Sequence, residues 1–391
     1  MAGPARGRLL WLKIHKWIGL SFGFLFVFEA VTGCILVFQH EISDVFDAPY
    51  AAVGAPVGVG VGGGVGVGVD RAVAIARAAN GGGDLALVGL PASNADHAYR
   101  VLIAGQGHAT RELFVDPSSG RVDRDHRRPV GAVLKFIWTL HKRLAVPLAG
   151  DLLIAVSGLV LVLSTVSGLV LWWPKPGKWG KALAIKKNAT VPRLTFDLHR
   201  VLGAVLAAMC LLWGISGTYM IRPSWIVGFL PSDLRPRNEQ TLRTAAVAKA
   251  EPSIPHERLS PAAIARLAGH VPGATGTYLF PPEDPGDCSW QVRLSRPDDR
   301  VRYVGSATVT VNACAGTITG INDERGDVSS RIFYWLRPLH SGEAFGTIGK
   351  IVVFLLGFGF LAIGIAGIYL WWIRRRARKT SARSRSRAGR P

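Results

Sequence analysis

The chain has few cysteines and few acidic residues for its length. Its 391 residues include four cysteines, and 46 Lys and Arg outnumber 26 Asp and Glu, a net charge of +20. It contains no His-Glu-x-x-His sequence, and no Ser/His/Asp set or carboxylate pair stands out, which argues against a peptidase. A basic excess is typical both of nucleic-acid-binding proteins and of membrane proteins, so the placement of the charges decides between these classes.

Apolar residues make up 49 % of the sequence and gather in four long runs. A membrane-spanning helix needs about 20 consecutive, mostly apolar residues, and each run is long enough. The pattern predicts a membrane α-helical protein with four transmembrane helices. The four runs are Trp17–Phe38, Ala149–Trp173, Arg200–Ile221 and Thr347–Ile373.

Basic residues concentrate in three of the segments that flank these runs. They lie before the first run, in residues 175–197 between the second and third runs, and in the tail of residues 374–391. With four spans these segments share one side of the membrane, and the positive-inside rule places both termini in the cytoplasm. We interpret the tail as an anionic-lipid anchor and predict no nucleic-acid partner.

The two halves of the sequence repeat each other. His15 and His199 each lie at the start of an apolar run, with a basic residue next and a glycine four residues on. At the other end of each half, His141 and His340 follow a leucine and precede a Trp-Trp pair at the same spacing. Each half therefore reads as a span, an exported segment and a second span, which indicates an internal duplication.

The two exported segments carry the same order of local patterns. Each has a helix followed by strands and a Gly-containing turn, so the sequence predicts two α+β modules, each a helix on a short antiparallel sheet. The predicted elements are a helix at Asp70–Ala79, strands at Tyr99–Ile103 and Arg111–Val115, a helix from Ser260-Pro261 to Ala268, and strands at Trp290–Leu294 and Ala307–Val311. Cys288 and Cys314 both fall in the second exported segment. They either form a disulfide there or remain free thiols.

A Gly/Val-rich tract precedes the first predicted module. It contains the spacing Gly58-x-Gly60-x-x-Gly63, which matches a dinucleotide-binding fingerprint. No strand-turn-helix unit surrounds this sequence, so we reject that interpretation. Its composition indicates a flexible linker.

These features together resemble the PepSY-associated transmembrane family of bacterial inner-membrane proteins. The resemblance rests on the His-Lys-Trp-Ile-Gly and Leu-His…Trp-Trp flanks and on the Val-Asp-Pro-x-x-Gly hairpin, and it covers nearly the whole chain. It implies a first span (residues 1–40), an exported PepSY-like module (41–147), a second span (148–174), a cytoplasmic loop (175–197), a third span (198–221), a second exported module (222–346), a fourth span (347–373) and a basic cytoplasmic tail (374–391).

The branch that this chain resembles most includes iron-uptake proteins and ferric-siderophore reductases that carry b-type haem. His15 and His199 lie at equivalent positions near one membrane face, and His141 and His340 lie at equivalent positions near the other. The duplication therefore lets each pair converge, and we expect each pair to supply the axial ligands of one haem iron. Because no Cys-x-x-Cys-His sequence occurs, the haems are expected to be non-covalent. The alternative is that these histidines are interfacial anchors; His40 is an alternative ligand.

Two further predictions concern chemistry near these histidines. Glu29, in the middle of an apolar run, is costly there, and it is expected to tune a haem, to relay protons or to pack through hydrogen bonds. Its counterpart in the second half is Trp213, so the two halves differ in charge. Basic residues near the exported pair are expected to attract an anionic ferric chelate, namely Arg127, Arg128, Lys142 and Arg143.

The expected function is that of an inner-membrane oxidoreductase that passes electrons across the bilayer to a ferric chelate or siderophore. No flavin or nicotinamide site is evident, so the expected electron donor is a membrane quinol or a partner reductase. The main alternative is a non-enzymatic membrane protein whose modules bind a peptide, a protease or an envelope partner. An accessory subunit for metal transport is a third hypothesis.

Overall fold

The structure is a computed structural model that describes residues 4–46, 66–91, 98–104, 110–123, 129–146, 149–231, 258–269, 273–282, 284, 286–300, 305–324 and 328–388. The helices are α1 (Pro4–Val37), α2 (Gln39–Phe46), α3 (Val69–Asn80), α4 (Pro129–Arg143), α5 (Ala149–Trp172), α6 (Trp179–Leu183), α7 (Val191–Val205), α8 (Ala207–Ile221), α9 (Pro223–Val227), α10 (Pro261–Ala268), α11 (Val328–Ser341) and α12 (Gly346–Ala388). The strands are β1 (Asp84–Gly89), β2 (Tyr99–Ala104), β3 (Thr110–Val115), β4 (Val122–Asp123), β5 (Thr275–Phe280), β6 (Ser289–Ser295), β7 (Ala307–Asn312) and β8 (Thr317–Asp323).

The chain divides into two compact units. The helical unit consists of Met1–Gln39, Ala132–Leu230 and Leu339–Pro391, and the sheet unit consists of His40–Gly131 and Pro231–Pro338. Each unit thus draws on both halves of the chain. All four histidines of the duplicated motifs belong to the helical unit.

In the described part of the chain, three helices are long and apolar enough to cross a membrane. They are Gly7–Val37 in α1, Ala149–Trp172 in α5 and Glu343–Ala377, which includes most of α12. The pair α7 and α8 makes a fourth crossing if it is counted as one broken span. The chain is therefore a multi-pass membrane protein with three or four spans.

The predicted third span, Arg200–Ile221, is bent in the structure. The chain bends by 62° between α7 and α8, at Leu206, and α7 begins upstream at Val191. The first half of α7 carries the fully buried Asp197, whose carboxylate pairs with Arg193 at 3.0 Å and with Arg200 at 3.3 Å. Such a charge cluster is disfavoured in hydrocarbon, so the apolar part of the α7–α8 pair begins after Arg200.

Close packing between helices α5 and α8 depends on two glycines. A Cβ atom added at Gly158 would lie 2.7 Å from the Gly214 carbonyl oxygen and closer still to Thr218 Oγ1. Thr218 is fully buried, and its hydroxyl lies within hydrogen-bond distance of the carbonyl oxygens of Ala155 (3.1 Å) and Gly214 (2.8 Å). Small residues at a crossing of this kind let two membrane helices approach and satisfy polar groups between them.

The sheet unit contains one continuous antiparallel sheet of eight strands in the order β4-β3-β2-β1-β5-β6-β7-β8. The prediction of two separate short sheets is therefore wrong. Strand β1 pairs with β5, with Val88 opposite Leu279 and Gly89 opposite Tyr278, so the two repeats join at their first strands. Neither of these two strands was predicted. The predicted strands agree with β2, β3, β6 and β7 to within a residue at each end.

Helices α3 and α10 pack on this sheet and bury its core. Their fully buried residues include Ala72, Ala76 and Ile264, and the facing strands contribute alternate apolar side chains. Ser260 caps α10, because its hydroxyl accepts a hydrogen bond from the Ala263 N–H at the start of the helix. The Asp70 carboxylate of α3 also accepts the Ala262 N–H at 2.8 Å, which links the two helices.

A disulfide joins Cys288 and Cys314 in the sheet unit. Their Cα atoms are 5.7 Å apart, within the usual range for a disulfide. The disulfide closes the second repeat where β6 begins and β7 has just ended. The sequence pattern alone is compatible with either a disulfide or two free thiols.

A methyl group at Gly158 should destabilise the helical unit. We expect Gly158→Ala to lower the free energy of unfolding by about 1–3 kcal/mol, because the added carbon overlaps the facing helix. Thermal unfolding of the purified protein in detergent measures this effect. The matched control is Gly180→Ala in α6, where an added Cβ meets nothing within 4 Å. Equal melting temperatures for both variants would contradict the proposed close packing.

Candidate functional site

The first pair of histidines comes from two helices in different halves of the chain. His15 lies in α1 and His199 in α7, and their ring centroids are 6.2 Å apart with an interplanar angle of 73°. Both side chains are partly buried within the helical unit. The structure therefore brings together the two residues that the repeat predicted as partners.

Hydrogen bonds at Nδ1 fix the orientation of both rings. His15 Nδ1 lies 3.1 Å from the Ser164 carbonyl oxygen and 3.0 Å from Ser167 Oγ, both in α5. His199 Nδ1 lies 3.0 Å from the Ile363 carbonyl oxygen in α12. A carbonyl oxygen only accepts, so Nδ1 must carry the proton in each ring, and Nε2 of the neutral ring keeps its lone pair.

The second pair repeats this arrangement on other helices. His141 in α4 and His340 in α11 have ring centroids 6.5 Å apart and an interplanar angle of 73°. His141 Nδ1 lies 2.9 Å from Thr32 Oγ1 and 3.1 Å from Glu29 Oε2. His340 Nδ1 lies 2.7 Å from Ser216 Oγ.

The two hydroxyl groups in this second pair act as acceptors. Thr32 donates its own hydroxyl hydrogen to a backbone carbonyl in α1, with Phe28 O at 3.0 Å. Ser216 donates to Leu212 O at 2.5 Å in α8. Each hydroxyl therefore receives the histidine Nδ1–H, so the same tautomer results as in the first pair. Among the described residues no Nε2 atom of the four histidines forms a hydrogen bond.

A glycine lies against every one of these rings. A Cβ atom added at Gly168 would be 3.2 Å from His15 Cε1, and one added at Gly367 would be 3.3 Å from His199 Cε1. The other two rings rest in the same way on Gly33, at 3.3 Å, and on Gly217, at 3.8 Å. Glycine at these positions lets the imidazole edge approach a neighbouring helix. A Cβ atom would crowd the ring at Gly33, Gly168 and Gly367 and would make ordinary contact with it at Gly217.

The second pair is neutral at physiological pH. Desolvation lowers the pKa of His141 to about 4 and the pKa of His340 to about 3. Neutral imidazole is the form that binds a metal. In both pairs the hydrogen bonds occupy Nδ1 and leave Nε2 available. In the second pair desolvation also keeps both rings neutral.

Both pairs fit axial ligation of haem iron. Two imidazoles on one iron, with metal–nitrogen bonds of about 2.0 Å, place their ring centroids roughly 6 Å apart, as in both pairs. Among the described residues no three His, Cys, Asp or Glu side chains cluster around a possible metal. A metal held by two imidazoles alone lacks further ligands, and the four nitrogens of a porphyrin supply them. One turn after His15 and His199, a Cβ added at Gly19 or Gly203 would meet nothing within 4 Å, so space is open beside the first pair.

The remaining predicted site residues are distributed elsewhere. His40 lies in α2. Arg127 and Arg128 lie outside the described residues. Lys142 lies over the Trp138 ring at 5.0 Å, and Arg143 Nε is 3.4 Å from the Asp151 carboxylate, so these two cations already have partners within the helical unit.

The chain belongs to the PepSY-associated TM region family, whose pattern matches residues 12–374. This match includes all four histidines and both units, and it agrees with a multi-pass membrane protein. No curated protein sequence matches the chain significantly. Family membership does not by itself assign an activity, so the function has to be argued from the site.

The structure adds two features that sequence analysis missed. One is the set of glycines that face the histidine rings. A sequence signal for two of them exists, because Thr32-Gly33 recurs as Ser216-Gly217, with a hydroxyl residue before each glycine. The other is a cavity of about 490 Å³ in the sheet unit, for which the sequence gives no signal. The cavity is lined by Arg296, Asp298, Arg300, Asp323, Arg331, Tyr334 and Trp335.

The Nδ1–H tautomer of the four histidines is directly measurable. In the haem-free protein at pH 7, ring ¹⁵N spectra should show a protonated Nδ1 and a bare Nε2 for each of them. The signals of His141 and His340 should stay those of a neutral ring down to about pH 5, because desolvation lowers both pKa values below that point. Single His→Ala variants assign the signals. A protonated Nε2 in these residues, or titration of the second pair near pH 6.5, would contradict the geometry.

Proposed function

We propose that the protein is a b-type haem electron conduit of the bacterial inner membrane that reduces a ferric chelate outside the cytoplasm. The observation that carries this proposal is the duplicated pair of imidazoles: each pair has a separation suited to one iron, and in each ring Nδ1 is occupied and Nε2 is available. Two pairs in one helical unit imply two haems. His15 and His199 hold one, and His141 and His340 hold the other.

A bound haem supplies a one-electron couple between ferrous and ferric iron. The residues of this chain would hold the iron through Nε2, and they fix the ring orientation through Nδ1. With haem bound, the chain would donate one electron to each ferric chelate, reducing it to the ferrous state, and a quinol or a partner reductase would supply that electron. Because ferrous iron binds hard oxygen ligands less strongly than ferric iron, reduction releases the metal for uptake.

The proposed topology follows from the charge distribution. Basic residues flank α1, α5 and α12 at one end, and the Trp-Trp pairs at the ends of α5 and α12 lie beside them. Arg376 lies over the Trp372 ring at 3.7 Å, and Lys16 lies over the Trp17 ring at 4.6 Å, an arrangement typical of membrane interfaces. These features support a cytoplasmic location for both termini and for the His15–His199 pair.

Substitution of one ligand should remove one haem and leave the other. Purified wild-type protein should show a reduced-minus-oxidised spectrum of b-type haem, and His199→Ala should retain about half of the haem per chain, because the second pair is intact. His40→Ala is the matched control, and it should retain all of the haem. Absence of a b-type spectrum from haem-replete cells would refute the proposal, and a loss in His40→Ala instead would refute the pairing.

One observation favours a second candidate function, in which the sheet unit binds an acidic peptide or envelope partner. Three arginines outnumber two aspartates around its 490 Å³ cavity. Arg296 forms two hydrogen bonds with the Asp323 carboxylate, at 3.1 and 2.6 Å. Within the described residues Arg300 and Arg331 form no ion pair, and Tyr334 accepts the Arg300 backbone N–H at 2.9 Å. Two guanidinium groups beside aromatic rings suit a carboxylate ligand.

Binding of a fluorescein-labelled hexaglutamate peptide tests this second function. The double substitution Arg300→Ala/Arg331→Ala should weaken binding at least about tenfold, because each charge-assisted hydrogen bond contributes about 1.5–3 kcal/mol. The control is Arg77→Ala/Arg266→Ala, two exposed cations on α3 and α10. Equal losses in both double variants would indicate nonspecific attraction and refute a peptide site. His199→Ala should bind the peptide like the wild type.

A further inference from the structure

Residues 173–187 directly follow the membrane helix α5 and belong, like α5 and α7, to the helical unit. We propose that this segment, the loop surface, is a docking surface for the headgroups of anionic phospholipids. Three features carry the proposal: a backbone that is attached at both ends, large apolar side chains that are exposed, and exposed lysines without acidic partners. The proposal requires no haem and is independent of the proposed function.

Three indole rings hold the start of the loop surface against the end of α5. Trp172, the last residue of α5, contacts Trp173 and Trp179, and Trp173 also contacts Trp179, with ring centroids 5.5 to 6.3 Å apart. The indole N–H of Trp172 donates to the Ala182 carbonyl oxygen at 3.4 Å, and Ala182 is buried. Helix α6 therefore packs against the last turn of the membrane helix.

Two polar contacts attach the other end of the loop surface to α7. The Arg200 guanidinium donates to the Ala184 carbonyl oxygen at 2.7 Å, and the Asp197 carboxylate accepts the Lys186 backbone N–H at 3.3 Å. Asp197 is fully buried and also pairs with Arg200. Because both ends are attached, the backbone of the loop surface is ordered before a ligand binds, and less conformational entropy is lost on binding.

The loop surface exposes large apolar side chains next to the end of a membrane helix. Trp173 is 65 % exposed, and Trp179 and Leu183 are each 44 % exposed. Indole rings at the end of such a helix are typical of the headgroup layer, where an apolar ring with a polar N–H is favoured on both counts. This position favours lipid over a soluble partner as the molecule that covers these side chains.

Five exposed lysines give the loop surface its charge, and none of them forms an ion pair with another described residue. They are Lys175, Lys178, Lys181, Lys186 and Lys187. Asp197 is the first acidic residue after α5, so no carboxylate within the loop surface competes for these ammonium groups. Lysines beside a membrane helix attract anionic headgroups, each by an amount that adds to the others. The lysines thus select the headgroup, and the apolar side chains select a lipid.

Titration of lipid into the purified, full-length protein tests the proposal. Dioctanoyl phosphatidylglycerol is added to the protein in maltoside micelles, and binding is followed by microscale thermophoresis. The wild type should bind this lipid at least about tenfold more tightly than dioctanoyl phosphatidylcholine, because the neutral lipid carries no net charge for the lysines to attract. Inorganic phosphate at the same concentration should not displace the lipid, since it has no acyl chains.

Two charge-matched double variants separate the loop surface from the overall charge of the chain. Lys178→Gln/Lys181→Gln should weaken binding of phosphatidylglycerol at least about tenfold and leave binding of phosphatidylcholine unchanged. Arg77→Gln/Arg266→Gln removes two exposed cations from the sheet unit and should bind both lipids like the wild type. All four side chains are exposed, so both variants should keep the melting temperature of the lipid-free wild type.

Three results would overturn the proposal. Equal affinities of the wild type for the two lipids would show no selection for an anionic headgroup, a result that needs no variant. Equal affinities of the two double variants for phosphatidylglycerol would place the lipid elsewhere, as at the basic tail of residues 374–391. Displacement by phosphate would show a site for free anions. None of these measurements depends on haem, so the proposed function and the lipid surface can fail separately.

Discussion

The candidate site depends on one kind of interaction, a hydrogen bond from histidine Nδ1 to an acceptor on a neighbouring helix. His199 and Ile363 show it in its simplest form, with 3.0 Å between Nδ1 and the carbonyl oxygen. The bond fixes the tautomer, the ring orientation and the nitrogen that remains available. It also requires the two helices to be close, so the glycine beneath each ring and the helix packing serve the same purpose.

The internal duplication explains how one short chain builds two such sites. Each pair takes one ring from each half, and the sheet joins the halves again through β1 and β5. A repeated unit need not remain identical, however. Glu29 and Trp213 occupy equivalent positions with different chemistry: Glu29 Oε2 lies 3.1 Å from His141 Nδ1, whereas the Trp213 indole N–H donates to the backbone oxygen of His340.

Sequence patterns predicted the apolar helices, the family and the partners within each histidine pair. The apolar helices follow from local composition, and the histidine partners follow from a direct comparison of the two repeats. The same patterns did not predict β1, whose sequence Asp-Leu-Ala-Leu-Val-Gly includes three poor strand formers, or β5, in which Gly276 interrupts a short run of good strand formers. The bend at Leu206 has no proline beside it, and the nearby Gly203 alone does not distinguish a bend from close helix packing. The contact of Glu29 with His141 joins residues 112 positions apart, and such contacts follow from packing rather than from local pattern.

Electron paramagnetic resonance of the oxidised, purified wild-type protein tests the central claim most directly, because it reports the axial ligands of ferric haem. Bis-imidazole ligation by both histidine pairs predicts low-spin ferric signals from two haems per chain, and loss of one component in His199→Ala. A high-spin signal alone, or a haem-free protein from haem-replete cells, would contradict it.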